Sequence, residues 1–143
     1  WYDVYATADG GHVAVGAIEP KFYAELLAKL GLAEELAGVA QHDRASWPRI
    51  RACFAATFAS RPRAEWERLF EGSDACVAPV LTFAEAERDA HAVARGAHVA
   101  VDGVVQPAPA PRFARTPARV RRGSPERGEG GREALRDWGL LSS

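Results

Sequence analysis

Residues 9–23, Asp9-Gly-Gly-His-Val-Ala-Val-Gly-Ala-Ile-Glu-Pro-Lys-Phe-Tyr23, decide more of the fold than any other stretch of this chain. Asp9-Gly10-Gly11 is a turn sequence between two β-like runs, Val4 to Ala8 and His12 to Ile18, and the pattern predicts a β-hairpin. His12 alternates with Val13 and Val15 and is expected on the face opposite to them. The second run ends at Glu19-Pro20. Proline suits the first position of a helix, where its missing N–H does no harm. Phe22, Leu26, Leu27 and Leu30 follow at helical spacing and Gly31 is a natural stop. The carboxylate of Glu19 is thereby held at a strand-to-helix junction behind an apolar strand, where it can be aimed at a pocket. The plainer alternative is an acid stabilised by the helix dipole. Glutamate is not a favoured N-cap, because its longer side chain fits the first free amides less well than Asp, Ser or Asn.

Downstream, Ala33 to Leu36 reads as a short helical turn. Trp47, Ile50, Phe54, Thr57 and Phe58 recur at three- and four-residue steps, an amphipathic helix with Arg49 and Arg51 off its apolar face. Pro62 breaks it and opens another helix carrying Trp66, Leu69 and Phe70, closed by Gly72. Cys76 to Leu81 reads as a short buried strand whose internal Pro79 points to a sheet edge. Thr82 and Glu85 form a capping-box pattern for a helix from Phe83 to about Ala94. Asp102-Gly103 between Val99-Ala-Val101 and Val104-Val105 is a two-residue hairpin signal. Pro107-Ala-Pro-Ala-Pro111 is stiff and extended, Arg112 to Arg122 is basic, Gly123 to Gly131 is polar and glycine-rich, and a last helix spans Arg132 to Trp138. The layout is α+β: antiparallel hairpins packed against several helices over residues 1–106, then a Pro/Arg-rich arm and C-terminal helix over 107–143.

The chain has 143 residues, 48% hydrophobic and 26% charged, which suits one compact domain with an appended arm. A net charge of −1 gives no global pull toward nucleic acid or anionic lipid. No apolar run is long enough to span a bilayer. Cys53 and Cys76 lack metal-type spacing and read as reduced core thiols, with a disulfide the alternative. His12, His42, His91 and His98 lack partners at metal spacing, so no metal is expected. No phosphate loop or nucleophile elbow occurs. The absence of methionine and the strand-like opening Trp1-Tyr-Asp-Val-Tyr5 suggest a piece of a longer protein. The predominance of arginine over lysine (Lys21 and Lys29 only) suggests a bacterial source, and the expected compartment is the cytoplasm.

Five segments carry a resemblance. Trp1-Tyr-Asp-Val-Tyr5 with Asp9-Gly10, Gly16-Ala-Ile-Glu-Pro20 with Phe22-Tyr23, Asp74-Ala-Cys-Val-Ala-Pro-Val-Leu81, Gln106-Pro-Ala-Pro-Ala-Pro-Arg-Phe113 and Leu135-Arg-Asp-Trp-Gly-Leu140 resemble, in order and spacing, segments of the α-methylacyl-CoA racemases. These belong to the family III CoA-transferase (CaiB/BaiF) group. The resemblance implies the small domain and C-terminal arm of an isomerase working as an interlocked homodimer. Each active site would lie between the large domain of one subunit and the small domain of the other. It implies interconversion of (R)- and (S)-2-methylacyl-CoA thioesters through an enolate, with coenzyme A entering as part of the substrate and no metal or redox cofactor. A histidine and an aspartate would exchange the α-proton, both upstream of Trp1. Glu19 would orient and charge-balance the histidine, and Tyr2 and Ile18 would line the acyl end of the site. This chain alone would then be inactive. The family's Gly-Glu-His-Thr-like motif is not recognisable near Gly123 to Gly131. Arg112 to Arg122 could meet the CoA 3′-phosphate, pair with acids of a partner domain, or be a solvated arm. Two other readings stay open: a family III CoA-transferase working through a nucleophilic aspartate, and a non-catalytic assembly module.

Overall fold

The computed structural model describes residues 1–141. Trp1–Thr82 forms one compact unit, and the chain from Phe83 onward forms a second. The first unit holds every buried residue among those described. The Asp102-Gly103 hairpin, expected within a domain spanning 1–106, belongs to the second unit. Residues 142 and 143 of the expected 107–143 arm lie outside the described residues.

In the first unit, β1 (Val4–Ala6) and β2 (His12–Val15) form the expected hairpin, with Tyr5 opposite Val13. Its turn is held by Asp9, whose Oδ1 accepts from Thr7 Oγ1 at 2.6 Å and from the amides of Gly11 and Arg63, each at 3.2 Å. Gly10 takes a φ of 78°, and a Cβ at Gly11 would meet Thr7 Oγ1 at 3.0 Å, so this turn needs both glycines. Thr7 is buried, and its hydrogen bond to Asp9 holds that carboxyl below the usual aspartate range.

Helix α1 (Pro20–Leu30) starts at the proline and ends at Gly31 in the left-handed conformation. The Leu32 amide reaches back to the Leu27 carbonyl at 2.9 Å and the Gly31 amide to Ala28 at 3.1 Å, a Schellman closure. Residues 33–36, expected to be a helical turn, form hydrogen-bonded turns instead. One turn of 3-10 helix, Arg44–Ser46, leads into α2 (Trp47–Phe58), and α3 (Arg63–Phe70) follows Pro62. Strand β3 (Val77–Pro79) pairs antiparallel with β2, giving the order β1-β2-β3 with Pro79 on an edge strand. The strand is shorter than expected and only half-buried, because one face of its edge position is open. Cys76 precedes it with a φ of 51° and is exposed; Cys53 is partly buried, so neither thiol belongs to the core proper.

The core lies between the sheet and the three helices. Tyr5, Val13 and Val15 meet Ile50, Phe54 and Phe58 of α2, Tyr23, Leu26 and Leu30 of α1, and Trp66 and Phe70 of α3. The Tyr5 ring stacks on Phe58 at 5.4 Å, and Phe58 meets Trp66 edge-on at 5.1 Å. The Trp66 indole donates to the Phe58 carbonyl at 2.9 Å, so this large ring is buried with its polar atom satisfied. His12 is exposed while Val13 and Val15 are buried, as the alternation requires.

In the second unit the expected helix from Phe83 to Ala94 is two short ones, α4 (Phe83–Ala86) and α5 (Ala90–Ala94). Asp89 takes an extended conformation between them and caps α5 through the Ala92 amide at 2.8 Å, restarting the helix. Strands β4 (His98–Val101) and β5 (Val104–Pro107) form the expected hairpin, with positive φ at Asp102 and Gly103. Arg112 donates to the carbonyls of Arg95 and Gly96, a structural use for the first arginine of the basic stretch. Helix α6 (Gly131–Asp137) is the last element of the described chain. Among the described residues no helix is long and apolar enough to cross a membrane.

Two buried tyrosines differ in a way that unfolding can read. Tyr5 donates to the Trp1 carbonyl at 2.6 Å, and burial pushes its phenol up to about 12. The Tyr23 hydroxyl is buried without a hydrogen-bond partner among the described residues. Tyr5→Phe should cost about 1 kcal/mol in urea unfolding, whereas Tyr23→Phe should be neutral or slightly stabilising. Asp9, with its depressed pKa, contributes stability above the unfolded value that is lost as the pH falls through the lower, folded value. Asp9→Asn should therefore lower the urea midpoint at neutral pH and flatten its fall below about pH 4.

Candidate functional site

Past the end of β2 the chain crosses from sheet to helix in four residues, and each is pinned by its backbone. The Gly16 amide donates to the Cys76 carbonyl at 2.9 Å, and the Gly16 carbonyl accepts from Ile18 at 2.9 Å. The carbonyls of Ala17 and Ile18 accept from Gln41 Nε2 at 3.3 and 2.7 Å. The Glu19 carbonyl accepts the Tyr23 amide at 3.0 Å, the first bond of α1. Ala17 is fully buried and anchors the crossing in the core. Glu19 occupies the N-cap position with extended backbone, yet its side chain makes no capping hydrogen bond. The carboxylate is exposed and takes part in no ion pair among the described residues. A fixed main chain thus carries a free acid.

Beside this crossing lies a groove of about 850 Å³ lined by Trp1, Tyr2, Ile18, His42, Arg44, Trp47, Pro48 and Arg51. Tyr2 and Ile18 are 62% and 53% exposed, although both are large apolar side chains beside a well-packed core. The Tyr2 ring lies against Gly16, where an added Cβ would sit 3.5 Å from it. It meets Trp1 edge-on at 6.4 Å. The indoles of Trp1 and Trp47 both donate to the Gln41 carbonyl, at 3.1 and 3.0 Å, which fixes the two rings. Three basic side chains edge this wall. Arg51 pairs with Asp3 at 2.6 Å, the Arg44 guanidinium lies over the Trp47 ring at 5.4 Å, and His42 completes the set. The surface suits an apolar group with an anion or a polar carbonyl nearby.

The structure brings Tyr2 and Ile18 together on one groove. Glu19 follows Ile18 directly but is not itself a lining residue. Sequence reading missed Gln41, His42, Arg44 and the groove-lining part of Trp47. Trp47 was visible only as one member of a helical apolar stripe, and the loop before it has no periodicity to read. Among the described residues, no group of three His, Cys, Asp or Glu side chains is placed to hold a metal ion.

Comparison with known proteins gives a consistent picture. The chain is 47% identical to the alpha-methylacyl-CoA racemase of Mus musculus, over 98% of this chain and 37% of that protein. It is 45% identical to the alpha-methylacyl-CoA racemase of Homo sapiens, over 82% of this chain and 31% of that protein. The chain therefore spans about a third of the length of these curated relatives. Its fold matches a crystal structure from M. tuberculosis with a TM-score of 0.69 at 22% identity, over 91% of this chain and 37% of the other. A CAIB/BAIF family protein from Brucella suis matches with a TM-score of 0.64 at 19% identity, over 95% of this chain and 37% of that one. The sequence profile described as CoA-transferase family III matches residues 1–130, and the chain belongs to that family.

Proposed function

We propose that this chain is the C-terminal part of an acyl-CoA racemase or epimerase that interconverts (R)- and (S)-2-methylacyl-CoA. The observation that carries this reading is the Glu19 carboxylate, exposed and uncapped on a backbone bonded at every residue from Gly16 to Glu19. Similarity to two mammalian racemases supports it, and the match to the mouse protein, over 98% of this chain, includes Glu19.

In the proposed reaction a base removes the α-proton from one face of the thioester. The electron pair moves onto the thioester oxygen, giving an enolate, and an acid on the opposite face returns a proton to the α-carbon. Nothing is oxidised or reduced, and coenzyme A stays attached throughout, so the step calls for no metal or redox cofactor. The proton-transfer pair is a histidine and an aspartate of a large domain outside this chain. Glu19 accepts the N–H of that histidine, fixes its tautomer and balances the imidazolium charge. Tyr2 and Ile18 form the wall for the acyl group. The working protein is an interlocked homodimer in which this part meets the large domain of the other subunit.

One observation favours a second reading. The matching profile is described as a CoA-transferase family, and so is a Caenorhabditis elegans relative 36% identical over 59% of this chain. In a transferase, a nucleophilic aspartate attacks the thioester and expels the CoA thiolate to form an anhydride; the thiolate then attacks the aspartyl carbonyl, releasing the acyl group as its carboxylate and leaving CoA held as a new thioester. Deuterium entry at the α-carbon of a 2-methylacyl-CoA in D₂O, with no acceptor acid present, separates the two.

In the full-length protein such exchange should be observed, and this chain alone should give none. Glu19→Gln should slow the exchange by about 100-fold or more, since it leaves the histidine without a charged partner. An unchanged rate would remove Glu19 from the mechanism, and trapping of a covalent CoA–enzyme adduct would favour the transferase. Ile18→Ala and Tyr2→Ala should each raise KM for a long apolar acyl thioester about 10-fold while leaving a short one little changed, the size expected for lost apolar contact.

A further inference from the structure

Four hydrogen bonds spanning both sides of the site converge on Gln41. Its backbone carbonyl takes the indoles of Trp1 and Trp47, at 3.1 and 3.0 Å. Its side-chain amide nitrogen gives hydrogen bonds to the Ile18 carbonyl at 2.7 Å and the Ala17 carbonyl at 3.3 Å. These are the last two carbonyls before Glu19. They lie beyond the β1–β2–β3 pairing, which ends at Val15, and ahead of α1, so no ladder or helix bond is available to them. A carbonyl in that position would otherwise turn to water and leave the peptide planes free to rock. The peptide that joins Ile18 to Glu19 contains one of these two carbonyls. Its orientation sets the φ of Glu19 (−69°) and hence the direction in which the side chain leaves the main chain.

The chemistry of the grip is specific. A primary amide offers two N–H donors and suits two neighbouring carbonyls. A carboxylate of the same shape offers only acceptors and would face them in repulsion. The same residue fixes the aromatic side of the groove through its main chain, which no side-chain substitution removes. The side chain can therefore be altered while the indole contacts remain.

We propose that Gln41 is the positioning residue for Glu19, its amide holding the Ala17–Ile18 carbonyls so that the carboxylate is presented in one direction before substrate arrives. The inference rests on the reading of Glu19 as an active-site acid. Gln41 does not touch the reacting atoms; it acts through the backbone. Misplacing a reacting group by about 1 Å costs on the order of 100-fold in rate. Loss of the grip should therefore fall on kcat, with KM nearly kept because the wall of Tyr2, Ile18 and Trp47 is still present.

The test measures α-deuterium exchange in the full-length protein for Gln41→Ala, Gln41→Glu and Glu19→Gln. Gln41→Ala should lower kcat by about 10- to 100-fold with KM changed by less than about 3-fold, and Gln41→Glu, which keeps the shape but reverses the polarity, should lower it at least as much. A slow Glu19→Gln beside Gln41 variants of normal kcat would overturn the inference and leave the reading of Glu19 standing. A rise in KM at unchanged kcat would also overturn it, making Gln41 a groove-wall residue only. An unaffected Glu19→Gln would sink the reading of Glu19 and this inference with it. Should Gln41→Ala fail to fold, the isosteric Gln41→Glu decides alone.

Discussion

Pairing on both edges of β2, through Tyr5 opposite Val13 on one side and Val13 opposite Pro79 on the other, fixes the direction of every side chain in that strand. A slip of one residue would turn Val13 and Val15 to solvent and bring His12 and Ala14 into the core. The buried set on α1, α2 and α3 matches only the observed register, so packing and pairing enforce each other. The same ladder determines where the chain leaves the sheet. Its last tie is the Gly16 amide on the Cys76 carbonyl, and three residues later Glu19 stands at the mouth of α1. The placement of the acid is thus a consequence of the core.

The parts of this fold legible in the sequence are those written in local chemistry. Gly10, Gly31 and Asp102-Gly103 take a positive φ that few residues accept, Gly11 sits where a Cβ would crowd Thr7, and Pro62 opens α3 as its fixed φ allows, and each marks its element correctly. What was not legible depends on distant partners. The pairing of β3 with β2 joins segments more than 60 residues apart, and it is reached through a positive φ at Cys76 that residue type does not announce. The break at Asp89 needed a choice between one helix and two that the capping pattern at Thr82 and Glu85 did not settle. Glu19, Tyr2 and Ile18 could be named as residues and as neighbours. The groove around Tyr2 and Ile18 could not, because it is assembled from Trp1, Trp47 and the loop at Gln41, with Trp1 and Gln41 40 residues apart and Trp47 further on.

Glu19 illustrates how a structure sharpens a choice between a stabilising and a working acid. Had its side chain closed on the free amides of α1, the bond would contribute about 1 kcal/mol and would explain the residue fully. The structure shows no such bond. What remains is the dipole, worth about 0.3–1 kcal/mol for an exposed charge. That is little return for a glutamate where an aspartate or serine would cap, on a segment with a backbone hydrogen bond at every residue from Gly16 to Glu19. The neighbouring surface adds weight. Single exposed apolar residues are ordinary, but Tyr2 and Ile18 share one concave surface with two anchored indoles.

Rigidity is unevenly distributed in this chain. Residues 1–82 contain every buried side chain described and every residue of the candidate site. From Phe83 onward the elements are four to seven residues long, none of the described residues is buried, and Phe83 and Trp138 are 95% and 80% exposed. Helices and two-stranded ribbons of that size are marginal without a packed face. Their form here rests on local devices: the Asp89 cap, the positive φ of Asp102 and Gly103, and the Arg112 guanidinium on two carbonyls. The role proposed for Glu19 calls for a fixed direction, and the residue stands in the unit that holds the packed core.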